Sequence, residues 1–188
     1  GMYLKKLHSV KFDFYGNWDK DQQSVCPEID LETSFWNRTR RTIDLIENRN
    51  LPNQDLLKEG LSLLRQLSTS ILIDTTPVFC HNDYNSRNVL IKKKGLQWKI
   101  TGILDFEQSM PFEKEFDFVH LKLFDFLHYP HSEDAFFEGY GHNYLDERKI
   151  NFFILYQSLK IATWAYYQSP DYYKVAINEI KKQLRNLS

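Results

Sequence analysis

The stretch Cys80-His81-Asn82-Asp83-Tyr84-Asn85-Ser86-Arg87-Asn88-Val89-Leu90 decides how the rest of the chain is read. A histidine is followed two residues later by an aspartate, and an asparagine stands five residues after that aspartate. The apolar run Val78-Phe79-Cys80 leads in, and a second apolar run begins at Val89. Such spacing sets a carboxylate on an irregular loop. It also places an amide oxygen where the following strand begins, within reach of a metal beside the loop.

The second half of the pattern is Gly102-Ile103-Leu104-Asp105-Phe106-Glu107. Asn88 to Ile91 and Ile100 to Leu104 read as two strands, joined through the polar turn Lys92-Lys93-Lys94-Gly95. A hairpin centred near Gly95 and Leu96 brings Asn88 and Asp105 together at its open end. Two oxygen ligands then converge, as a hard cation such as Mg2+ requires. Phosphate and water complete its shell.

Outward from this centre the chain is helical. Leu31, Phe35, Thr39, Ile43 and Ile46 recur at helical spacing behind Asp30, a candidate N-cap. Leu57, Leu61, Leu64, Leu67 and Ile71 form a second stripe, and both stripes read as core faces. Phe116, Val119, Leu123 and Leu127 predict a helix that Pro130 ends. Ser132 is a candidate cap for the next, with Glu133 and Asp134 in its first turn. Ile150 to Gln168 predicts a further helix. Ser169-Pro170 then opens a last one, with Tyr173, Ile177, Ile180, Leu184 and Leu187 down one face. The expected class is α+β, predominantly helical, with a small central β-hairpin and a single domain over residues 1–188.

Composition narrows the function. Hydrophobic residues make up 42% and charged residues 26% of the 188, and the formal net charge is −1. That balance implies no general attraction to nucleic acid or to a membrane surface. No stretch is long and apolar enough to span a bilayer. Cys26 and Cys80 fit neither a Cys-x-x-Cys pair nor a zinc spacing, so a reducing cytoplasm is expected. Gly1 before Met2 reads as the remnant of a cleaved tag. The spacing of His120, His128 and His131 fits no zinc pattern, and they are read as surface or capping residues. The aromatic group Trp164, Tyr166, Tyr167, Tyr172 and Tyr173 is read as core, with a platform for a cationic ligand as the alternative. Glu107, Glu133 and Asp134 are read as solvated charges.

His-x-Asp-x-x-x-x-Asn is also the catalytic-loop spacing of the protein kinases. Followed by a hairpin and Asp105-Phe106-Glu107, it more closely resembles the aminoglycoside phosphotransferase and choline-kinase family. Asp117-Phe118-Val119 is similar to that family's later aspartate at a helix start. Tyr3 to Val10 is similar to its Leu-x-x-Leu-His helix opening the C-terminal lobe. The resemblance covers nearly the whole chain and implies the C-terminal catalytic lobe of a protein-kinase-like fold. It implies transfer of the ATP γ-phosphate to a small-molecule alcohol. Asp83 would orient and deprotonate the acceptor, and Asn88 and Asp105 would hold Mg2+ on the phosphates. His81 and Asp117 would brace the loop.

The sequence departs from the family at Glu113, where aspartate is usual, and at Asn82, where glycine is commoner. No Gly-x-Gly-x-x-Gly or Walker pattern is present. Gly139-Tyr140-Gly141 reads as a helix end. The expectation is therefore a catalytic lobe without its nucleotide-binding upper lobe, weak or inactive alone, partnered by an upper lobe or by a second copy. The alternative is a non-catalytic remnant or binding module of the same fold.

Overall fold

The computed structural model of the protein describes residues 1–19, 23–141 and 145–187. In chain order it contains α1 (Met2–Leu7), β1 (Tyr15–Asp19), β2 (Ser24–Glu28), α2 (Leu31–Asn48), α3 (Gln54–Ile71) and β3 (Val78–Cys80). A 3₁₀ turn (Ser86–Asn88) follows, then β4 (Val89–Lys94), β5 (Gln97–Ile103) and β6 (Met110–Phe112). A second 3₁₀ turn (Lys114–Phe118), a π-turn (Leu121–Asp125) and α4 (Phe126–His128) come next. The chain ends with α5 (Ser132–Tyr140), α6 (Glu147–Gln168) and α7 (Pro170–Leu187). The mostly helical α+β class is as expected from the sequence. The chain divides into two compact units, residues 1–26 with 76–144 and residues 27–75 with 145–188.

The second unit is built by helix packing. Asp30 caps α2, accepting from Thr33 N at 2.6 Å. Leu31, Phe35 and Ile46 are fully buried, as are Leu57 and Ile180, while Leu61, Leu64, Leu67 and Ile71 also face the core. Helix α6 is buried over most of its length, with Phe152, Phe153, Leu155 and Leu159 at 0% exposure. A helix buried over most of its circumference in this way sits inside a bundle. Ser169 opens α7 by accepting from Tyr173 N at 3.1 Å. The aromatic group at the α6–α7 corner is not core. Trp164, Tyr166 and Tyr167 are exposed, because they sit in the last turn of α6, and only Tyr173 is buried.

Among the described residues the strands pair as two-stranded sheets, β1–β2, β3–β6 and β4–β5, the last two within the first unit. The expected hairpin is β4–β5, paired from Val89↔Ile103 to Lys94↔Gln97. Its turn is only Gly95-Leu96, and Gly95 has φ 64°, which glycine adopts without strain. The three lysines read as turn therefore belong to β4. The β3–β6 pair joins Val78 to Phe112 and Cys80 to Met110. It has no local sequence signal, since β6 is three residues long with a proline in the middle.

Two further expectations change in the helical stretch after Glu113. Phe116, Val119 and Leu123 are buried, but Leu127 is 73% exposed. Leu127 lies in the three-residue α4 that ends the stretch at His128, and the buried stripe does not continue to it. His131, at φ 62°, is the N-cap of α5, with no side-chain cap bond, and Ser132 is the first helical residue.

Candidate functional site

The loop of interest leaves the end of β3, which is held on both sides. Phe79 N donates to Val10 O and Phe12 N to Pro77 O, both at 2.9 Å, opposite the β6 pairing. Cys80 and His81 are fully buried, and Asn82 is 5% exposed. Asn82 takes φ 63°. A left-handed residue here explains why glycine would fit, and asparagine is among the few others that tolerate it. Its side chain donates to Gln108 O at 2.8 Å.

Asp117, 2% exposed, gathers this turn. Its Oδ2 accepts from His81 N at 2.8 Å and its Oδ1 from Asn82 N at 2.6 Å. His8, the C-cap of α1, lies with Nε2 3.0 Å from Asp117 Oδ2 and Nδ1 2.8 Å from the Tyr140 hydroxyl. The atoms of His8, Cys80 and Asp117 are close enough to share a metal. They are already committed to hydrogen bonds, Cys80 Sγ donating to Glu113 O at 3.2 Å. The cluster is a buried polar brace.

His81 ties the loop to the far end of the hairpin. Its Nδ1 accepts from Asp83 N at 3.3 Å, and its Nε2 lies 2.8 Å from Leu104 O. A carbonyl can only accept, so these partners select the neutral tautomer with hydrogen on Nε2.

Asp83 is half-buried with both carboxylate oxygens engaged. Oδ1 accepts from Asn85 Nδ2 at 3.0 Å and lies 3.2 Å from His120 Nδ1. Oδ2 accepts from Asn88 Nδ2 at 3.2 Å. Burial raises the carboxyl's pKa, but His120, by hydrogen bonding and charge, and the Asn88 and Asn85 amides together hold it below its ordinary value. A carboxylate offers about four lone-pair positions. Three partners leave Oδ2 with one still to give.

Asn88 spends its amide nitrogen inward, on Asp83 O at 2.9 Å and on Oδ2, which turns its amide oxygen the other way. Leu104 N donates to Asn88 O at 2.9 Å, extending the β4–β5 pairing by one step. Asn88 and Asp105 therefore stand at the open end of the ribbon. Asp105 is exposed and left-handed, at φ 64°. Aspartate, like asparagine, is among the few non-glycine residues that tolerate this conformation.

The chain is similar to the family described as "phosphotransferase enzyme family" over residues 1–153. The chain belongs to that family. Two solved structures share its fold. One is a thermostable mutant of the aminoglycoside phosphotransferase APH(4)-Ia, in a ternary complex with AMP-PNP and hygromycin B. It has a TM-score of 0.68 and 13% identity, covering 91% of this chain and 56% of the other. The second is spectinomycin phosphotransferase APH(9)-Ia with ADP and spectinomycin, TM-score 0.57, 18% identity, covering 99% and 62%. This chain thus spans about three-fifths of the length of either. No curated protein matches it. Among the described residues no helix is long and apolar enough to cross a membrane.

Hydrogen bonds join His81, Asp83, Asn88 and Asp117, and the Leu104 contacts bring Asp105's segment alongside. Sequence reasoning missed His120, which it assigned to the surface, and also Asn85, Asp125 and the part played by His8.

Proposed function

We propose that this chain carries the acceptor and metal half of a phosphotransferase centre, moving the γ-phosphate of ATP to the hydroxyl of a small-molecule alcohol. The supporting observation is the set of contacts around Asp83, which leaves one lone pair of Oδ2 for an incoming hydroxyl. Asp83 orients that hydroxyl towards the phosphorus and takes its proton as the new O–P bond forms. Its lowered pKa makes it an orienting group first and a proton acceptor late in the step, in keeping with a loose transition state. His81 and Asp117 hold the loop so that Asp83 needs no reorganisation.

An amide oxygen and an exposed carboxylate are hard donors, which fits Mg2+. Asn88 Oδ1 and Asp105 would hold it, and it would offset the negative charge of the phosphates. Both cysteines are thiols, in keeping with a reducing, cytoplasmic setting. Hygromycin B and spectinomycin, bound by the two structural neighbours, other aminoglycosides and amino alcohols are the acceptors to try.

The groups that clamp the nucleotide are expected from polypeptide outside these residues, an upper lobe or another copy. A well-placed base is worth only about 10²–10⁴-fold, and phosphoryl transfer depends mainly on positioning. Turnover by the 188 residues alone should therefore be low. The test is ADP release with Mg2+ and ATP across aminoglycosides, choline and amino alcohols, alongside calorimetry of Mg-ATP binding. Robust turnover abolished by Asp83→Asn would overturn the low-turnover expectation. Absence of both metal and acceptor binding would favour a non-catalytic module.

A further inference from the structure

Three side chains of the helical stretch after Glu113 reach the loop. Asp117 holds its start and His120 stands against Asp83. Asp125 holds Ser86, with Oδ2 accepting from the Ser86 backbone N–H at 3.2 Å and Oδ1 from its hydroxyl. A continuous α-helix could not aim all three the same way. At about 100° per residue, His120 falls about 60° to one side of Asp117, and Asp125 falls about 80° to the other.

The π-turn resolves this. Phe126 N–H donates to Leu121 O, five residues back, so one extra residue is taken into the turn. That insertion subtracts about 100° from the register of the residues beyond it and brings Asp125 to within about 20° of Asp117. A carboxylate is thereby gained on the loop.

We propose that the π-turn is a register insert that seats Asp125 on the loop, and that Asp125 is a positioning residue for Asn88. Ser86 opens the three-residue turn that ends at Asn88. Asn85 caps this turn, accepting from Arg87 N at 3.0 Å on its side chain and from Asn88 N at 3.1 Å on its carbonyl. Gripping Ser86 at both its N–H and its hydroxyl therefore fixes the direction of a side chain only two residues on. The inference rests on the reading of Asn88 as a metal ligand.

The test uses the full chain with Asp125→Ala, Asp125→Asn, Ser86→Ala and the Ser86→Ala/Asp125→Ala double variant. Amide exchange of Ser86 and Asn88 should quicken by at least about tenfold in Asp125→Ala, with α6 unchanged. Affinity for Mn2+ alone, read by water-proton relaxation, should fall about tenfold. Ser86→Ala, which keeps the backbone N–H contact, should lose less, the double variant no more than Asp125→Ala alone, and Asp125→Asn, which keeps one acceptor oxygen, should recover part. Deleting Lys122 should remove the π-turn yet keep Asp125 on the loop, because seven residues of α-helix after Asp117 reach the same direction, so Mn2+ affinity should stay near that of the wild type. If that deletion does not fold, the Ser86–Asp125 cycle decides. Unchanged exchange at residues 86 and 88, or additive losses in the double variant, would overturn the proposal. A wild-type chain that fails to bind Mn2+ would sink the metal reading of Asn88 instead, and the exchange measurement would still decide the Asp125 contact.

Discussion

The α2–α3–α6–α7 bundle and the loop from His81 to Asn88 solve different problems with the same chain. The bundle buries Phe35, Leu57, Phe152 and Phe153, whose only demand is apolar contact. The loop region buries His81, Asn82, Asn85, Glu113, Glu115 and Asp117, none of which gains from leaving water unless a partner waits inside. In the bundle, stability follows from area and fit. In the loop, it follows from a closed set of hydrogen bonds that costs much if one member is lost and adds little beyond what water offered. Chemistry is built on the second kind of region because its groups are held still while their remaining lone pairs stay unspent.

The difference can be tested first by deletion in the bundle. Phe35 packs on Phe152, Phe153 and Tyr156 with ring centroids 5.2, 6.0 and 5.2 Å away. Phe35→Ala should cost about 3–5 kcal/mol in denaturant unfolding. It should leave amide exchange at residues 81–88 unchanged under conditions where the variant is folded. A loop loosened equally would mean that the two regions do not behave as separable problems.

Next in size is Asp117→Asn, which keeps the shape and removes one acceptor oxygen. Two backbone N–H groups and His8 converge on Asp117, and an amide cannot face all three with oxygen. The expected cost is about 1–3 kcal/mol. Faster exchange should be confined to His81, Asn82 and Asp83. A neutral substitution would show that Asp117 does not organise the loop.

Legibility in the sequence followed the same division. The α2 and α3 stripes were plain because burial of apolar side chains leaves a 3.6-residue period. The β4–β5 ribbon was plain because Gly95 marks its turn. Asp83, Asn88 and Asp105 could be singled out through their spacing and a family resemblance. His120 could not, since a histidine on a helical face looks the same whether it meets solvent or a carboxylate from 37 residues earlier. Leu127 misled, because an apolar residue at the end of a helical stretch keeps the period whether or not anything packs on it. The β3–β6 pairing depends on contacts about 30 residues apart, and no local period records it.

Titration should separate the regions in a subtler way. The Asp83 carboxyl is held below its ordinary value of 3.8 in the folded chain. Its ionised form therefore contributes stability that is present above that value and is lost as pH falls through the lower folded value. Asp83→Asn should flatten this part of the acid limb of the stability curve, whereas Phe35→Ala should displace the whole curve downward with its acid limb unaltered. An acid limb identical in wild type and Asp83→Asn would argue against the His120, Asn85 and Asn88 contacts as the cause.

The smallest expected effect lies at the bundle's closest approach. Gly60 is buried inside α3, where a Cβ would meet Leu159 Cδ2 at 3.1 Å, Ile180 Cγ2 at 3.5 Å and Leu155 Cδ1 at 3.5 Å. Alanine there gains about 1 kcal/mol of helix propensity over glycine. Against that stands one tight contact, made by the end of a leucine side chain that can turn away by a few tenths of an ångström. The two terms nearly cancel, so Gly60→Ala should shift unfolding stability by less than about 1 kcal/mol. Gly60→Leu has no such escape, since several added carbons would have to displace α6 and α7 side chains together, and overpacking should cost about 1–3 kcal/mol. If alanine proves as damaging as leucine, Leu159 is locked in place, and the bundle is as intolerant of small displacements as the loop.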